Sequence, residues 1–284
     1  MWMLSESYLN FTNEETGETI EALSPKRGND AYAKTKFRSM MKIVDGMKGL
    51  DFDYEDIGRP GLLRRTHLLL VTVTFDPKET PKEKAWHLCS TKGGALNLFR
   101  ANITYLLGSK ATVTVKEAQE NGYPAPHLLV MVDRPTRIKR HISKKTGEKT
   151  WRLSDYQLLT RIKEKWPYGK VVDVEGIVRS GKGYKGHSSP ITYLAKYLIK
   201  GMNLERFPEL RKLSSIDDAT GKLKIALNTH FWNKLFRMRD IYISKAFKER
   251  INTLPKTEER TDSWTLTEIT YSNQPYTVPG CQAC

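Results

Sequence analysis

The sequence predicts an α+β fold, a central antiparallel sheet flanked by helices, and three stretches carry that prediction. His67–Phe75 (HLLLVTVTF) is an aliphatic and β-branched run that alternates over VTVTF and stops at Asp76 and Pro77, the pattern of a strand. Ala95–Gly108 spaces Leu96, Leu98, Phe99, Ile103 and Leu106 as a helix docked by its apolar side. Ala111–Lys116 and Leu128–Val132 read as two further strands joined by the turn-rich Asn121–Pro126. Strands and helices mixed in this way favour helices packed on a sheet over an all-helical fold.

Taken in chain order, residues 1–60 are polar and mixed, with a basic piece at Ala31–Met47. They read as an accessory segment of helical character. Gly58, Pro60 and Gly61 punctuate the chain and set a boundary near residue 60. Residues 61–250 form the main domain. Within it Lys170–Val178 is a short strand, Ser180–Gly186 is a Gly-rich loop, and Phe231–Phe247 is ordered and rich in aromatics. Residues 251–284, Thr- and Pro-rich, read as a loose tail. No internal repeat stands out.

The chain has 284 residues, and Lys+Arg minus Asp+Glu is 47 − 32 = +15. Such an excess fits a polyanionic partner, because cations set against phosphates release condensed counterions. No apolar run reaches the about 18 residues that a membrane span needs, and the start has no basic region followed by an apolar stretch. Three cysteines, Cys89, Cys281 and Cys284, make no disulfide framework. A cytoplasmic protein without membrane contact is the expectation.

The helix expected after the Gly-rich loop carries the most specific chemistry. Ser188-Ser189-Pro190 offers a hydroxyl cap and then proline where no amide donor is needed, and Gly201 ends the run. Between them Tyr193 and Tyr197 are four apart and share one side, bordered by Lys196 and Lys200. A phenol with a pKa of about 10 is a poor nucleophile at neutral pH. A neighbouring ammonium favours the phenolate and stabilises charge developing on a phosphate. Read by spacing alone, the same residues describe an amphipathic helix with snorkelling lysines.

Two other elements bear on function. Glu117 ends one predicted strand and His127 opens the next, so the two side chains converge if the strands are neighbours; carboxylate plus imidazole suits Mg²⁺ or Mn²⁺. Arg134–Arg152 is the most basic segment, with Arg137, Lys139, Arg140, Lys144 and Lys145 at its centre and Thr146-Gly147 placed to turn a hairpin. It is either a solvated ribbon or an arm that contacts DNA.

Together these elements resemble the HUH endonuclease superfamily, in particular the rolling-circle replication initiators of archaeal plasmids and viruses. Three landmarks fall in the family's order over residues 65–250: the hydrophobic strand at Val71–Phe75; glutamate followed by Gly122-Tyr123-Pro124 and Ala125-Pro126-His127; and a helix with YxxK twice, as Tyr193–Lys196 and Tyr197–Lys200. The doubled tyrosine is similar to the paired-tyrosine initiators. The resemblance implies an HUH nuclease domain at 61–250. It also implies attack by Tyr193 or Tyr197 on single-stranded or hairpin DNA at a replication origin, leaving a 5′-phosphotyrosine link and a free 3′-hydroxyl. Host replication proteins are the further partners implied. A transposase with the same chemistry and a non-catalytic DNA-binding descendant are the alternatives.

The chain departs from the family at one ligand. Where the family has His-hydrophobic-His, it reads Ala125-Pro126-His127, so one imidazole is missing. The implied Mg²⁺ or Mn²⁺ site is therefore His127 and Glu117 with a substitute, His187 first and Glu120 or Asp133 otherwise. Other motifs are discounted. Gly-x-x-x-x-Gly-Lys-Ser/Thr is absent, and Cys281-Gln-Ala-Cys284 has no second pair to complete a zinc site.

Overall fold

Alternation builds the main sheet. The computed structural model describes residues 7–24, 29, 31–36, 38, 53–58, 61–109, 111–142, 147, 149–178, 207, 218–239, 241–251 and 264–271. Its strands are β1 (Ser7–Asn13), β2 (Thr19–Leu23), β3 (Asp53–Glu55), β4 (Leu63–Val73), β5 (Ala111–Ala118), β6 (Pro124–Ile142), β7 (Lys149–Leu153), β8 (Val172–Gly176), β9 (Ile241–Ile243) and β10 (Trp264–Tyr271). The helices used below are α1 (Lys82–Cys89), α2 (Ala95–Leu106), α3 (Tyr156–Glu164), α4 (Gly221–Leu235) and α5 (Lys245–Ile251). The fold is α+β with a large antiparallel sheet and helices against it.

Seven strands run in the order β3-β4-β8-β7-β6-β5-β9, and β4 also pairs with β6. The pairings β4–β6, β6–β7, β7–β8 and β8–β4 therefore close a ring, and the sheet curls around its inner face. Residues of that inner face form the core: Leu69, Val71 and Val73 of β4, Leu128, Val130, Val132 and Ile138 of β6, and Val172 and Val174 of β8. Helices α1 and α2 add Trp86, Phe99 and Ile103, and α3 adds Ile162. Trp166 fills the gap between Phe75, Phe99 and Tyr168, and its indole N–H donates to the Thr74 carbonyl at 2.8 Å. Burying side chains of this size stabilises by about 1.5–3 kcal/mol each before entropy is counted.

The curl has a specific irregularity at its bend. Leu68 pairs with Met131 and Thr66 with Thr136, so one β4 residue faces four on β6. Pro135 sits in that interval, where its missing N–H removes nothing from the ladder. Beyond the bend, β6 continues against β4 and β7 as far as Ile142. The hairpin expected in the basic segment is present: Ile138 pairs with Leu153 and Ile142 with Lys149, and Gly147 has φ +68° in the turn.

The ends of the chain differ from expectation. The segment read as helical holds a β-hairpin, β1–β2, and among its described residues 31–36 and 38 are helical. Asn13 makes the turn, its side chain accepting from the Glu15 and Thr16 amides, and Gly17 adopts φ +71°. The tail read as loose contains β10, which pairs antiparallel with β1 from Ser7↔Tyr271 to Asn13↔Trp264. Its sequence, WTLTEITY, is β-branched and aromatic, and an open edge on β1 gives it a ladder.

Gly176 lets the ring close. A Cβ there would lie 2.5 Å from Ile138 Cδ1 and 2.6 Å from its Cγ2. Gly176→Ala is expected to destabilise by about 1–3 kcal/mol, the usual cost of overpacking. Ile138→Val in the same background should restore part of the loss, read as a shift of the urea midpoint; purely additive effects would show that the two do not meet.

Candidate functional site

Register brings the carboxylate and the imidazole together. In the β5–β6 pair Val115 faces His127 and Glu117 faces Ala125, so Glu117 and His127 are diagonal neighbours on the outer face. The turn between them is fixed at several points. Gln119 N–H donates to Tyr123 O at 2.7 Å, Gly122 N–H to Gln119 O at 2.9 Å, and Trp86 Nε1–H to Gly122 O at 2.8 Å. Gly122 has φ +84°, which glycine alone adopts without strain. Thr229 of α4 accepts from the Ala118 amide at 2.8 Å, securing the end of β5 that β9 does not reach.

His127 Nε2 lies 3.8 Å from Glu117 Oε2, and both residues are 6% exposed. On the other side of the ring, Nδ1 is 3.0 Å from Thr72 Oγ1, directly across from His127 on β4. The tautomer whose Nδ1–H donates to that hydroxyl is the one that turns an Nε2 lone pair toward the carboxylate side. Two donors about 2.1 Å from one octahedral ion stand about 3 Å apart when adjacent and about 4 Å when opposed, and the observed 3.8 Å lies between the two, so a shared ion would need one side chain to shift. Mg²⁺ keeps several waters and needs few protein ligands. Thr72 is the residue that sequence reading missed. It lies in the VTVTF strand, but only the β4–β6 register reveals what its hydroxyl meets.

The substitutes considered for the missing imidazole are placed as follows. Glu120 Oε1 accepts from Gly221 N at 3.2 Å, at the start of α4, where a carboxylate complements the helix dipole. Asp133 pairs with Arg250 of α5 and lies 133 − 127 = 6 residues along β6, about 20 Å from His127. It does not join the site. His187 lies outside the described residues, as do Tyr193, Lys196, Tyr197 and Lys200. Among the described residues no cluster of three His, Cys, Asp or Glu side chains could hold a metal.

The basic segment divides by alternation. Arg137 and Lys139 point to the outer face, the face of His127, whereas Arg140 points to the other, across from Trp151. Of the five cations at the centre of the segment, Arg137 and Lys139 thus take one side and Arg140 the other; Lys144 and Lys145 lie outside the described residues. Arg152 bridges Asp173 and Glu175 of β8, and Arg64 bridges Asp53 and Glu55 of β3.

Asp56, just after β3, is a different case. Its Oδ2 receives Arg65 Nε at 3.2 Å and Arg137 Nε at 3.0 Å, and its Oδ1 accepts from Gly58 N at 3.1 Å. Burial pushes its pKa up, but the Gly58, Arg137 and Arg65 hydrogen bonds outweigh that and hold the carboxyl below its ordinary value. Asp76 is also lowered, first by the Lys78 amide and, against burial, by Lys170. Cys89 behaves oppositely: burial pushes its thiol up to about 12 while Lys116 pulls weakly the other way, so it is an inert core thiol.

Comparisons of the chain with protein-family models, curated proteins and solved structures find no match. Among the described residues no helix is long and apolar enough to cross a membrane.

Because the Asp56 carboxyl is depressed in the folded state, its stabilising contribution is present above the ordinary carboxylate value of about 3.9 and is lost as pH falls through the lower folded value. Asp56→Asn should therefore be less stable than the parent by a constant margin above about pH 5, and the margin should shrink below about pH 4. Urea unfolding across that range measures it, and a margin independent of pH would contradict the assignment.

Proposed function

We propose that this protein nicks and rejoins one strand of DNA, acting as a rolling-circle replication initiator. The observation that supports this most is the Glu117–His127 pair, buried on neighbouring strands at 3.8 Å with the imidazole oriented by Thr72. The net charge of +15 favours a nucleic-acid partner. Glu117 and His127, with His187 as the expected third ligand, would hold Mg²⁺ or Mn²⁺, which when bound polarises the scissile phosphate. The phenolate of Tyr193 or Tyr197 attacks phosphorus as the P–O3′ bond breaks. The 3′-oxygen leaves and takes a proton, and the 5′-phosphate stays on tyrosine. Lys196 and Lys200 favour the phenolate and the charge building on the phosphate. The link conserves the energy of the broken bond, so reversal rejoins the strand without a nucleotide cofactor. Single-stranded or hairpin DNA at an origin is the substrate, host replication proteins are the partners, and the cytoplasm is the compartment.

A second reading has its own observation. Among the described residues Glu117 and His127 meet without a third His, Cys, Asp or Glu to complete a metal group, which is what a DNA-binding descendant without nuclease activity would retain. A transposase with the same chemistry differs only in the DNA it acts on.

Incubation with Mn²⁺ and a panel of labelled single-stranded and hairpin oligonucleotides should yield a covalent adduct that resists denaturant. The adduct is expected to vanish in Tyr193→Phe/Tyr197→Phe and to fall at least tenfold in Thr72→Val, whose imidazole loses its orienting hydroxyl. An adduct that survives the double tyrosine change, or none under any divalent ion, would remove the nicking mechanism.

A further inference from the structure

Beyond the bend, the ion-paired arginines of the sheet are matched unequally by carboxylates. Arg64 is matched by two carboxylates, Asp53 and Glu55, and Arg152 by two, Asp173 and Glu175. Arg65 and Arg137 share a single one, Asp56. Two cations on one anion leave a local charge of 2 − 1 = +1, and the two guanidinium groups repel each other unless a second anion joins them.

The way Asp56 holds them leaves room for that anion. Each arginine reaches Asp56 Oδ2 through Nε, which leaves the Nη donors of both forks for another acceptor. Among the described residues neither guanidinium makes a further hydrogen bond. Asp56 is itself anchored by the Gly58 amide and by its own N–H on Leu63 O at 3.2 Å. Its side chain is 8% exposed, against 38% for Arg65 and 51% for Arg137. A buried carboxylate thus orients two half-exposed forks, an arrangement suited to binding rather than to sealing a core.

The third member of the row is aromatic. Tyr54 of β3 pairs with Arg65 of β4, which pairs with Arg137 of β6, so the three side chains stand in line across three strands on one face. Tyr54 is 47% exposed. An aromatic ring open to solvent beside two outward guanidinium groups is the composition that takes a base on the ring and a phosphate on the arginines. The row is set apart from Thr72 by 72 − 65 = 7 residues along β4, or about 23 Å.

We propose that Tyr54, Arg65 and Arg137, with Asp56 as the positioning residue, form a phosphate-and-base site for single-stranded nucleic acid, separate from the Glu117–His127 pair. This rests on the nucleic-acid partner of the function proposed above but not on its chemistry.

The test uses the full chain and a fluorescein-labelled mixed-sequence single-stranded oligonucleotide in EDTA, with binding measured by anisotropy over a series of salt concentrations. Arg65→Gln and Arg137→Gln are each expected to weaken binding and to make the slope of log K against log salt shallower by about 0.7. Tyr54→Leu should weaken binding roughly tenfold with the slope unchanged. Asp56→Asn should weaken binding although it makes the protein more positive, the reverse of what net charge alone predicts. Should that variant fail to fold, Arg65→Lys/Arg137→Lys keeps both charges without the forks and should weaken binding with the slope retained. Parental slopes in both glutamine variants, tighter binding by Asp56→Asn, or parental affinity in the lysine pair would overturn the site. No binding by the parent protein at low salt would overturn this site and the nucleic-acid partner together. Binding with the expected slopes but no covalent adduct would leave this site standing and remove only the nicking reaction.

Discussion

Side-chain alternation along β6 governs both the core and the outer surface. The strand runs from Pro124 to Ile142, paired with β5 and then β7 along one edge and with β4 along the other. A slip of one residue would send Leu128, Val130 and Val132 out of the core and turn His127 into it. The buried aliphatic set therefore fixes the position of the imidazole with no contribution from the imidazole itself. The irregularity around Pro135 resets the register, and beyond it Ile138 returns to the core while Arg137 and Lys139 take the outer face. Core packing on one side and chemistry on the other are two consequences of one pairing.

That constraint explains why polar groups can sit where stability alone would not put them. Glu117 and His127 are buried among aliphatic residues, and withdrawing such groups from water is unfavourable unless they find partners. Two apolar residues at the same positions would pack with less penalty. Places where a chain breaks a local rule in this way are where function is usually found. The Asp56 cluster breaks a different rule, since its charges do not balance although the carboxylate is almost fully withdrawn from solvent.

Much of this was legible in the sequence, for identifiable reasons. The strands of the main sheet announce themselves where they are buried on both faces and read as unbroken aliphatic runs, as in Leu68–Val71. Helix α2 matches the expected Ala95–Gly108 almost to the residue, because its apolar stripe is local information. The convergence of Glu117 and His127 followed from their placing on either side of a tight turn. Less was legible where partners are remote in sequence. β1 and β10 are separated by most of the chain, so neither could be recognised as a strand of a shared sheet. Thr72, Arg65 and Tyr54 look ordinary alone and acquire meaning only from cross-strand neighbours. The basic ribbon was read by composition, and composition carries no information about which cations share a side.

The three-stranded sheet has a practical consequence for anyone handling this protein in pieces. In the order β10-β1-β2, the middle place belongs to β1, and its ladder toward β10 is longer than its ladder toward β2. A fragment trimmed after α5 would strip that side of β1 and expose a row of amide and carbonyl groups, with Tyr8, Leu9 and Phe11 along the strand. Naked edges of this kind recruit other chains. Clumping of a shortened protein would then report the loss of a remote strand rather than any weakness of the large sheet, and domain boundaries drawn from solubility trials would be misplaced for that reason.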